Sequence, residues 1–447
     1  MSRVRGAQIG VQDEASGAFA GGAKRFKHMF NPWLTSSHRL LEVIADNVSG
    51  NWHMIEPRKQ RRLRDADRRN RDEVIRAILV NLAFVAAMGI DPPVAGISLR
   101  EAKKKRSRYE RKGFTALPRI VSRLSEASPE LLVLRKSRRY GQASAIECPP
   151  AFKADIDRFK VSSWQFTELE GRESIYLSRT ERDFAGNVER RELVDYEDTP
   201  ETVAFRSEVS RLNTALNKAD LALQDESGLP TPTGIRSLRR VFNLPPDASE
   251  GEARFDLGGR LFGGWWQQVT KERRTGIRID GEPIADLDYQ NLFLRLAYVE
   301  AGLPPPYGDL YAITPELSDA RHRPGVKKAA SAMLFRRTPL LRAPRGSRGD
   351  LPAGISGAQL RAAILAAHPG LAGVFETGIG LRLMFLESQI LVRALLSLTD
   401  DGIVALPMHD GLMAARSKEQ RAIRAMTEAA VAITGQELPV ISKRYCD

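Results

Sequence analysis

The stretch EPIADLDYQNLFLRLAYVEAG, residues 282–302, decides the fold of the C-terminal half of the chain. Within it, Ile284–Leu287 predicts a strand and Leu292–Val299 predicts a helix. Asp288 lies where the strand meets the helix, so a rigid backbone can direct its carboxylate into a cleft. The alternative interpretation is that Asp288 is only the N-cap of the helix, a position that aspartate favours.

A second informative segment is RPGVKKAASAMLFRRTP, residues 323–339, which predicts a helix that ends before Pro339. Arg323 and Lys327 are four residues apart, and Phe335 follows eight residues after Lys327. On a helix these offsets place two cations and an aromatic ring on roughly the same face. Such a face suits a nucleoside triphosphate, although an ordinary amphipathic surface helix with a core phenylalanine explains the pattern equally.

The third segment is GIVALPMHDGLMAARS, residues 402–417, which predicts two buried strands joined by a tight turn. His409 and Asp410 occupy that turn. An aspartate can serve simply as a turn former, so this pair alone is a weak signal. Together with Asp288, however, Asp410 gives two turn-borne carboxylates. Two carboxylates plus substrate phosphates are sufficient to hold the pair of Mg²⁺ ions, about 4 Å apart, of a phosphoryl-transfer site.

The overall charge points to a polyanionic partner. The formal net charge is +13 over 447 residues, with 68 lysines and arginines. The segment EAKKKRSRYERKGF interleaves basic and aromatic residues, which suits contact with a nucleic-acid backbone and its bases. Lys104, Arg106 and Arg108 in this segment are therefore candidate DNA-binding residues. A solvated helix face is the alternative for this segment, and a basic protein kept soluble by its charge is the alternative for the whole chain.

Several classes of protein lack support in the sequence. There is no phosphate-binding loop of NTPases, no HExxH zinc motif and no dinucleotide-binding fingerprint. The two cysteines, Cys148 and Cys446, give no disulfide framework and fit a reducing compartment. No apolar stretch predicts a signal peptide or a membrane span, so we expect a cytoplasmic protein without a membrane partner.

The chain divides by composition into three predicted regions. Residues 1–150 form a basic, mainly helical N-terminal region, in which a basic, exposed helical entry leads into a buried helix that ends near Gly89. Residues 151–240 contain a hairpin with Gly186 and Asn187 at its turn, followed by a helix that opens at Thr199. A linker, DESGLPTPTG, leads to residues 241–447, where the chemical signals concentrate. Asp155 and Asp157 form no convincing exonuclease pattern.

The order and spacing of the three C-terminal segments resemble the family A nucleic-acid polymerases. This family includes bacterial DNA polymerase I and the single-subunit phage RNA polymerases. Its motif A is similar to DYSQIELR and is matched here by DYQNLFLR, residues 288–295. Motif B matches in the spacing of Arg323, Lys327 and Phe335, and motif C matches in the His-Asp turn. Upstream, LGGRLFGGWWQQ resembles the Gly-Arg segment of the family, and the resemblance covers roughly residues 255–447.

The resemblance implies an α+β fold with a right-hand polymerase palm built on an antiparallel sheet. Helical fingers at about residues 300–395 and a thumb-like helix near Thr199 complete it. It also implies a DNA polymerase that extends a primer with dNTPs and uses two Mg²⁺ ions, or Mn²⁺. The resemblance implies that Asp288 and Asp410 bind the metal ions. It implies that Lys327 and Arg323 contact the triphosphate and that Lys327 protonates the leaving pyrophosphate. The other implied contacts are to the nucleotide, from Phe335, Phe293 and Tyr289, and to DNA, from Arg260, Arg295 and His409.

The sequence departs from the family pattern at several positions. Phe293 stands where the DNA polymerases carry Glu, Phe335 replaces the more usual Tyr, and Gly411 follows the motif C aspartate where many members have Glu or Ser. A bulky Phe293 would collide with a ribose 2′-hydroxyl, which favours deoxynucleotides; ordinary core packing is its alternative. Pro324 places Arg323 at the helix start and leaves its triphosphate contact open, with Arg321 as a fallback.

Other functions remain open on the sequence alone. An RNA polymerase or primase of the same superfamily would require Phe293 to lie away from the sugar. A catalytically inactive, polymerase-like DNA-binding protein would have no need of both Asp288 and Asp410. A generic basic binding protein would make the motif matches accidental. The small size resembles polymerases of phages and mobile elements, so we expect a bacterial or phage-infected host.

Overall fold

The structure is a computed structural model that describes residues 26–57, 64–99, 107–137, 142–182, 188–245, 248–249, 251–408 and 410–443. The chain forms two compact units. The first contains Met1–Glu197, Leu221–Arg239 and Gly263–Ile277, and the second contains Asp198–Asp220, Arg240–Phe262 and Arg278–Asp447. The expected α+β class is confirmed, since helices accompany several antiparallel sheets. The division into three regions stays a prediction.

The described ranges contain eleven α-helices and fifteen strands. The helices are α1 (Arg39–Gly50), α2 (Trp52–Ile55), α3 (Asp65–Ala87), α4 (Leu117–Ala127), α5 (Pro150–Arg158), α6 (Pro200–Lys218), α7 (Leu292–Glu300), α8 (Arg323–Phe335), α9 (Gly357–Ala367), α10 (Gly380–Asp400) and α11 (Glu419–Thr434). The strands are β1 (Leu34–Ser36), β2 (Val94–Ile97), β3 (Val133–Arg135), β4 (Ser144–Glu147), β5 (Phe166–Glu168), β6 (Ile175–Arg182), β7 (Val188–Leu193), β8 (Leu221–Leu223), β9 (Arg239–Leu244), β10 (Gly258–Phe262), β11 (Ile277–Ile279), β12 (Glu282–Tyr289), β13 (Ala405–Met408), β14 (Gly411–Ala415) and β15 (Val440–Lys443).

Helix α3 is the centre of the first unit. Its first turn carries Asp65 and Asp67, which suit the positive end of the helix dipole. From Val74 to Ala86 every residue of the helix except Arg76 is buried. Helices α1, α4 and α5 pack around it together with β1 and β2. The helix ends just before Gly89, which adopts a positive φ of 60°. A charged helical entry followed by a buried helix was the prediction for this segment, and it is confirmed.

The strands of the first unit form small antiparallel groups. Strand β4 pairs with β2 on one side and β3 on the other, and β1 pairs with β5. Strands β6 and β7 form the predicted hairpin, whose expected turn residues, Gly186 and Asn187, lie outside the described residues. Asp155 and Asp157 lie on α5, where Asp157 pairs with Lys153 one turn earlier. Asp157 is exposed and Asp155 is partly exposed.

Strand β12 organises the sheet of the second unit. It pairs antiparallel with β14 along one edge, and β14 in turn pairs with β13. Along the other edge, β11 pairs with the start of β12 and β15 with its end. The predicted strand and helix around Asp288 and the predicted hairpin around Asp410 all form. The strand, however, continues past Leu287 to Tyr289, so Asp288 lies within the strand and not in the turn that was expected. Runs of apolar residues bounded by turn residues account for the agreement, since β13 and β14 are buried along their length.

Helix α10 is the central helix of the second unit and packs against α6, α7, α8 and α11 as well as β10 and β13. Its buried face includes Leu383, Ile390 and Leu398. Helix α6 starts where the sequence predicts, because Thr199 and Thr202 form reciprocal capping hydrogen bonds ahead of Pro200. Helix α8 ends at Phe335, before the proline that was expected to stop it.

Among the described residues, no helix is both long enough and apolar enough to cross a lipid bilayer.

Candidate active site

Asp288 lies within the central strand of the second unit, directly opposite Gly411 of β14 and Ile441 of β15. The N-cap of helix α7 is Asn291, three residues further on, in the left-handed conformation with φ of 57°. The alternative that Asp288 is a helix cap is therefore wrong. Its backbone is held on both edges by strand pairing, and its side chain is mostly buried.

Asp410 lies in the turn of the β13–β14 hairpin and is half-buried. Met408 pairs with Gly411 across this turn, and Gly411 pairs with Asp288. The residue after Asp410 is therefore the register partner of Asp288, and the fold brings the two predicted carboxylates together. His409, the predicted DNA contact in the same turn, lies outside the described residues.

The contact between the two strands explains the glycine that follows Asp410. A Cβ atom on Gly411 would lie 2.1 Å from the carbonyl oxygen of Leu287 and 3.2 Å from the Cα of Asp288. No side chain fits at this distance unless a strand shifts. The departure from the family pattern at this position is thus a consequence of how closely β14 approaches β12.

The carboxylate of Asp288 has an unusual environment. One oxygen, Oδ2, accepts from Lys443 Nζ at 2.8 Å, whereas Oδ1 is buried and has no hydrogen-bond partner among the described residues. Burial raises the pKa of Asp288, and the negative charge of Asp410 adds to the rise. The cations Lys443 and Lys327 oppose it. The influence of Lys327 places helix α8 within electrostatic reach of the carboxylates.

Arg260 on β10 pairs with a carboxylate that was not predicted from the sequence. Its Nε and Nη2 atoms donate to the two carboxylate oxygens of Glu387 at 2.7 and 2.8 Å. Burial raises the pKa of Glu387 to about 7 although Arg260 opposes the rise, and the charges of Asp410 and Asp288 add to it. In the bidentate contact both carboxylate oxygens accept from Arg260, which is the geometry of an ionised carboxylate. Glu387 thus lies close enough to Asp288 and Asp410 for their charges to affect its pKa.

Glu387 belongs to a run of three polar residues, Glu387–Ser388–Gln389, that interrupts an apolar stretch of helix α10. Arg240, whose side chain is fully buried, donates to Ser388 Oγ at 3.2 Å and to Gln389 Oε1 at 3.0 Å. Arg240 also reaches the carbonyl oxygen of Gly259 on β10. Three adjacent polar residues inside an apolar helical stretch were the available sequence signal for these partners.

Two predicted nucleotide contacts form a ring pair. Phe293 on α7 and Phe335 on α8 have ring centroids 5.8 Å apart with an interplanar angle of 32°. The guanidinium carbon of Arg260 lies 5.6 Å from the centroid of the Phe293 ring. Phe335 remains 43% exposed, so part of its ring stays open to a ligand. The fold thus brings together Phe293, Phe335 and Arg260, which come from three separate segments of the sequence.

The two cations of α8 differ in availability. Lys327 is exposed and makes no hydrogen bond or ion pair with any other described residue. Arg323 instead donates from Nε to Asp309 Oδ2 at 2.6 Å and from Nη2 to Asn291 Oδ1 at 2.9 Å. The fallback, Arg321, pairs with Asp319 at 3.0 Å. Of these residues, Lys327 is placed to meet a phosphate without breaking an existing contact.

Two predicted contacts serve the protein itself. The hydroxyl of Tyr289, a predicted nucleotide contact, is buried and donates to the carbonyl oxygen of Met426 on α11 at 2.7 Å. Arg295, a predicted DNA contact, is 2% exposed and donates to three backbone carbonyl oxygens. Tyr289 thus ties the end of β12 to α11, and Arg295 holds the connection around α7, so both side chains have structural roles in this conformation.

The basic segment predicted to contact DNA is only partly described. Lys104 and Arg106 lie outside the described residues. Arg108, in the first unit, stacks over the Tyr196 ring with its guanidinium carbon 3.7 Å from the centroid. It also donates to the Tyr196 carbonyl oxygen at 3.0 Å and pairs with Glu173 at 3.2 Å. These contacts anchor Arg108 within its own unit.

The donors fit the predicted divalent cations. Mg²⁺ and Mn²⁺ prefer carboxylate oxygens, and Asp288 Oδ1 is a buried acceptor with no hydrogen-bond partner in the described chain. The mutual repulsion of Asp288 and Asp410 is also what a cation would relieve. No group of three or more His, Cys, Asp or Glu side chains suited to a metal occurs among the described residues.

Comparison with known proteins adds no family assignment. No model of a known protein family matches the chain, and no curated protein matches it either.

Proposed function

We propose that this protein is a template-directed DNA polymerase that extends a primer 3′-hydroxyl with dNTPs. The observation that carries the proposal is the register of β12 and β14, which places Asp288 opposite Gly411 and thereby beside Asp410. In the proposal, the β12-centred sheet is the palm, the region around α8 and α9 is the fingers, and α6 is the thumb. The partners are a DNA primer-template and dNTPs, in a cytoplasmic setting.

Asp288 and Asp410 would hold two Mg²⁺ or Mn²⁺ ions. When bound, these ions supply the charge that activates a 3′-hydroxyl and neutralises the leaving pyrophosphate. Lys327, exposed and within electrostatic reach of Asp288, contacts the triphosphate and is placed to give a proton to the leaving group. Arg323 keeps the start of α8 in place through Asp309 and contributes to the triphosphate only after releasing it.

Phe293 and Phe335 select the sugar and support the base. Their tilted ring pair offers an apolar wall with no hydroxyl that could bond to a ribose 2′-hydroxyl. Arg260 lies over Phe293 and is held in place by Glu387, so its guanidinium is oriented before DNA binds. A wall of this kind favours deoxynucleotides over ribonucleotides.

Primer extension tests the proposal directly. A labelled primer on a single-stranded template is incubated with Mg²⁺ and either dNTPs or rNTPs. We expect extension with dNTPs, at least 100-fold less with rNTPs as an order-of-magnitude expectation for a steric wall, and loss of extension in Asp288→Asn and Asp410→Asn. No extension with either nucleotide set would leave a DNA-binding role as the better proposal, and extension with rNTPs alone would indicate an RNA polymerase or primase.

Asp280→Asn is the matched control. Asp280 is an exposed aspartate just before the start of β12, at the opposite end of the strand from Asp288. Its φ of 51° suits asparagine as well as aspartate, so this variant should fold and extend primers normally. Loss of activity in Asp280→Asn as well would show that the aspartate variants act through the sheet and not through the site.

A further inference from the structure

Lys443 is a charged residue next to the candidate site that no sequence motif indicates. It lies on β15 directly opposite Asp286 of β12, in the antiparallel register. Its Nζ atom is 2.8 Å from Asp288 Oδ2 and 3.6 Å from Asp286 Oδ1. Because side chains two residues apart on a strand share a face, one ammonium group reaches both aspartates. Strand β15 therefore places the ammonium group of Lys443 next to the carboxylates of Asp286 and Asp288.

The two oxygens of Asp288 are consequently not equivalent. Lys443 occupies Oδ2, whereas Oδ1 is buried with no partner among the described residues. A divalent cation arriving at Oδ1 would find the ammonium of Lys443 on the other oxygen of the same carboxylate. The two cations repel each other, and the site is buried enough for that repulsion to exceed its value in water.

We propose that Lys443 is a resident counter-ion that sets the divalent-cation affinity of the Asp288–Asp410 site. It neutralises Asp288 and the buried Asp286 in the metal-free protein and thereby weakens binding of free Mg²⁺ or Mn²⁺. Substrate phosphates add negative charge to the site and offset that weakening, so metal and nucleotide bind together. The inference rests on the proposed function, because it takes Asp288 and Asp410 as the metal ligands.

Direct Mn²⁺ binding to the full chain tests this role without reference to catalysis. Free Mn²⁺ is measured by electron paramagnetic resonance in the absence of nucleotide, at fixed pH and ionic strength. We expect Lys443→Met to bind Mn²⁺ about tenfold more tightly than the parent, since it removes one positive charge at close range. Lys443→Arg keeps the charge and should bind like the parent. Lys418→Met, at an exposed lysine after β14, is the neutral control.

Removing Lys443 leaves the buried Asp286 without this counter-ion, which can impair folding. The Mn²⁺ measurement is therefore repeated with the double variant Asp286→Asn/Lys443→Met and compared with Asp286→Asn alone. In both of these variants the carboxylate charge of Asp286 is absent, so loss of Lys443 leaves no unpaired charge there. Circular dichroism verifies the fold of each variant. Unchanged or weaker Mn²⁺ binding in both backgrounds overturns the inference, as does a Lys443→Arg variant that behaves like Lys443→Met.

The same measurement separates failure of this inference from failure of the proposed function. If Asp288→Asn and Asp410→Asn abolish Mn²⁺ binding while Lys443→Met leaves it unchanged, only the role of Lys443 is wrong. If Mn²⁺ binding survives in both aspartate variants, the metal assignment on which both proposals depend is wrong.

Discussion

At the scale of single residues, Gly411 connects the geometry of the sheet to the chemistry of the site. Its missing side chain lets β14 approach β12 so closely that a Cβ atom would lie 2.1 Å from the Leu287 carbonyl oxygen. The same contact sets the register that places Asp410 beside Asp288. The close approach of these two strands thus requires glycine at this position.

Gly411→Ala should therefore destabilise the second unit and remove activity. We expect the free energy of unfolding to fall by about 2 kcal/mol, as for an overpacked core, because the strands must separate to admit the methyl group. Thermal unfolding followed by circular dichroism measures the change, and primer extension measures the loss of the site.

Gly373→Ala is the control for this prediction, since a Cβ at that position meets nothing within 4 Å. It should change neither stability nor activity appreciably. If the thermal unfolding midpoint of Gly411→Ala equals that of the parent, the strands tolerate a side chain at this position. Close strand approach would then not explain why the residue is glycine.

At the scale of elements, the connection after β12 depends on one buried arginine. Arg295 on α7 donates to the carbonyl oxygens of Gln290, Pro306 and Gly308 at 2.8 to 2.9 Å. It thereby ties the residue before the N-cap of α7 to the loop that follows the helix. The planar guanidinium with its several donors suits this task, which a single ammonium group cannot reproduce.

Arg295→Lys should consequently lower the stability of the second unit. Two of the three carbonyl groups would lose their charged donor, and we expect a loss of about 3 kcal/mol in the free energy of unfolding. Calorimetry of the variant measures this loss. Arg424→Lys, at an exposed arginine on α11, should unfold like the parent. A stable Arg295→Lys variant with reduced DNA affinity would instead support the original prediction of a DNA contact.

At the scale of the whole molecule, the two units can be followed separately. The chain has five tryptophans, and all of them belong to the first unit: Trp33, Trp52, Trp164, Trp265 and Trp266. Tryptophan fluorescence therefore reports unfolding of the first unit alone. This separation makes a pH effect within that unit measurable.

His28 should make the first unit sensitive to acid. It is buried, contacts the Phe84 ring and donates from Nε2 to Asn81 Oδ1 at 3.0 Å. Burial lowers its pKa to about 4, against the opposing effect of the bond to Asn81. Between pH 6.5 and 4 the His28 imidazole binds a proton in the unfolded chain but stays neutral in the folded chain. The free energy of unfolding should therefore fall by about 3 kcal/mol across this window.

Urea unfolding followed by tryptophan fluorescence at several pH values measures this dependence. His28→Gln can keep a hydrogen bond to Asn81 but does not titrate, so its stability should decline less steeply between pH 6.5 and 4. Carboxylates contribute equally to both proteins and cancel in the comparison. Equal slopes for the parent and the variant would mean that His28 is protonated readily in the folded state.

The amino-acid sequence by itself determined the local elements of this protein. The strand and helix around Asp288, the hairpin around Asp410 and the start of α6 after Thr199 all form where residue patterns predict them. These features depend on neighbouring residues, through apolar spacing, proline and capping side chains, and such interactions act over a few positions. The α+β class was instead an expectation from the resemblance to a known family, and the structure confirms it.

Only the tertiary structure decided which charged groups meet. Arg260 and Glu387 are 127 residues apart in the chain, and Lys443 reaches Asp288 from a strand that lies beyond the hairpin. Arg323, by contrast, is engaged by Asp309, although helical spacing alone would present it to a nucleotide. A long side chain takes the partner that folding places within about 3 Å of it, and no local pattern encodes that distance. The carboxylates Asp288 and Asp410 could therefore be predicted from the sequence, whereas the cations that surround them were determined by the tertiary structure.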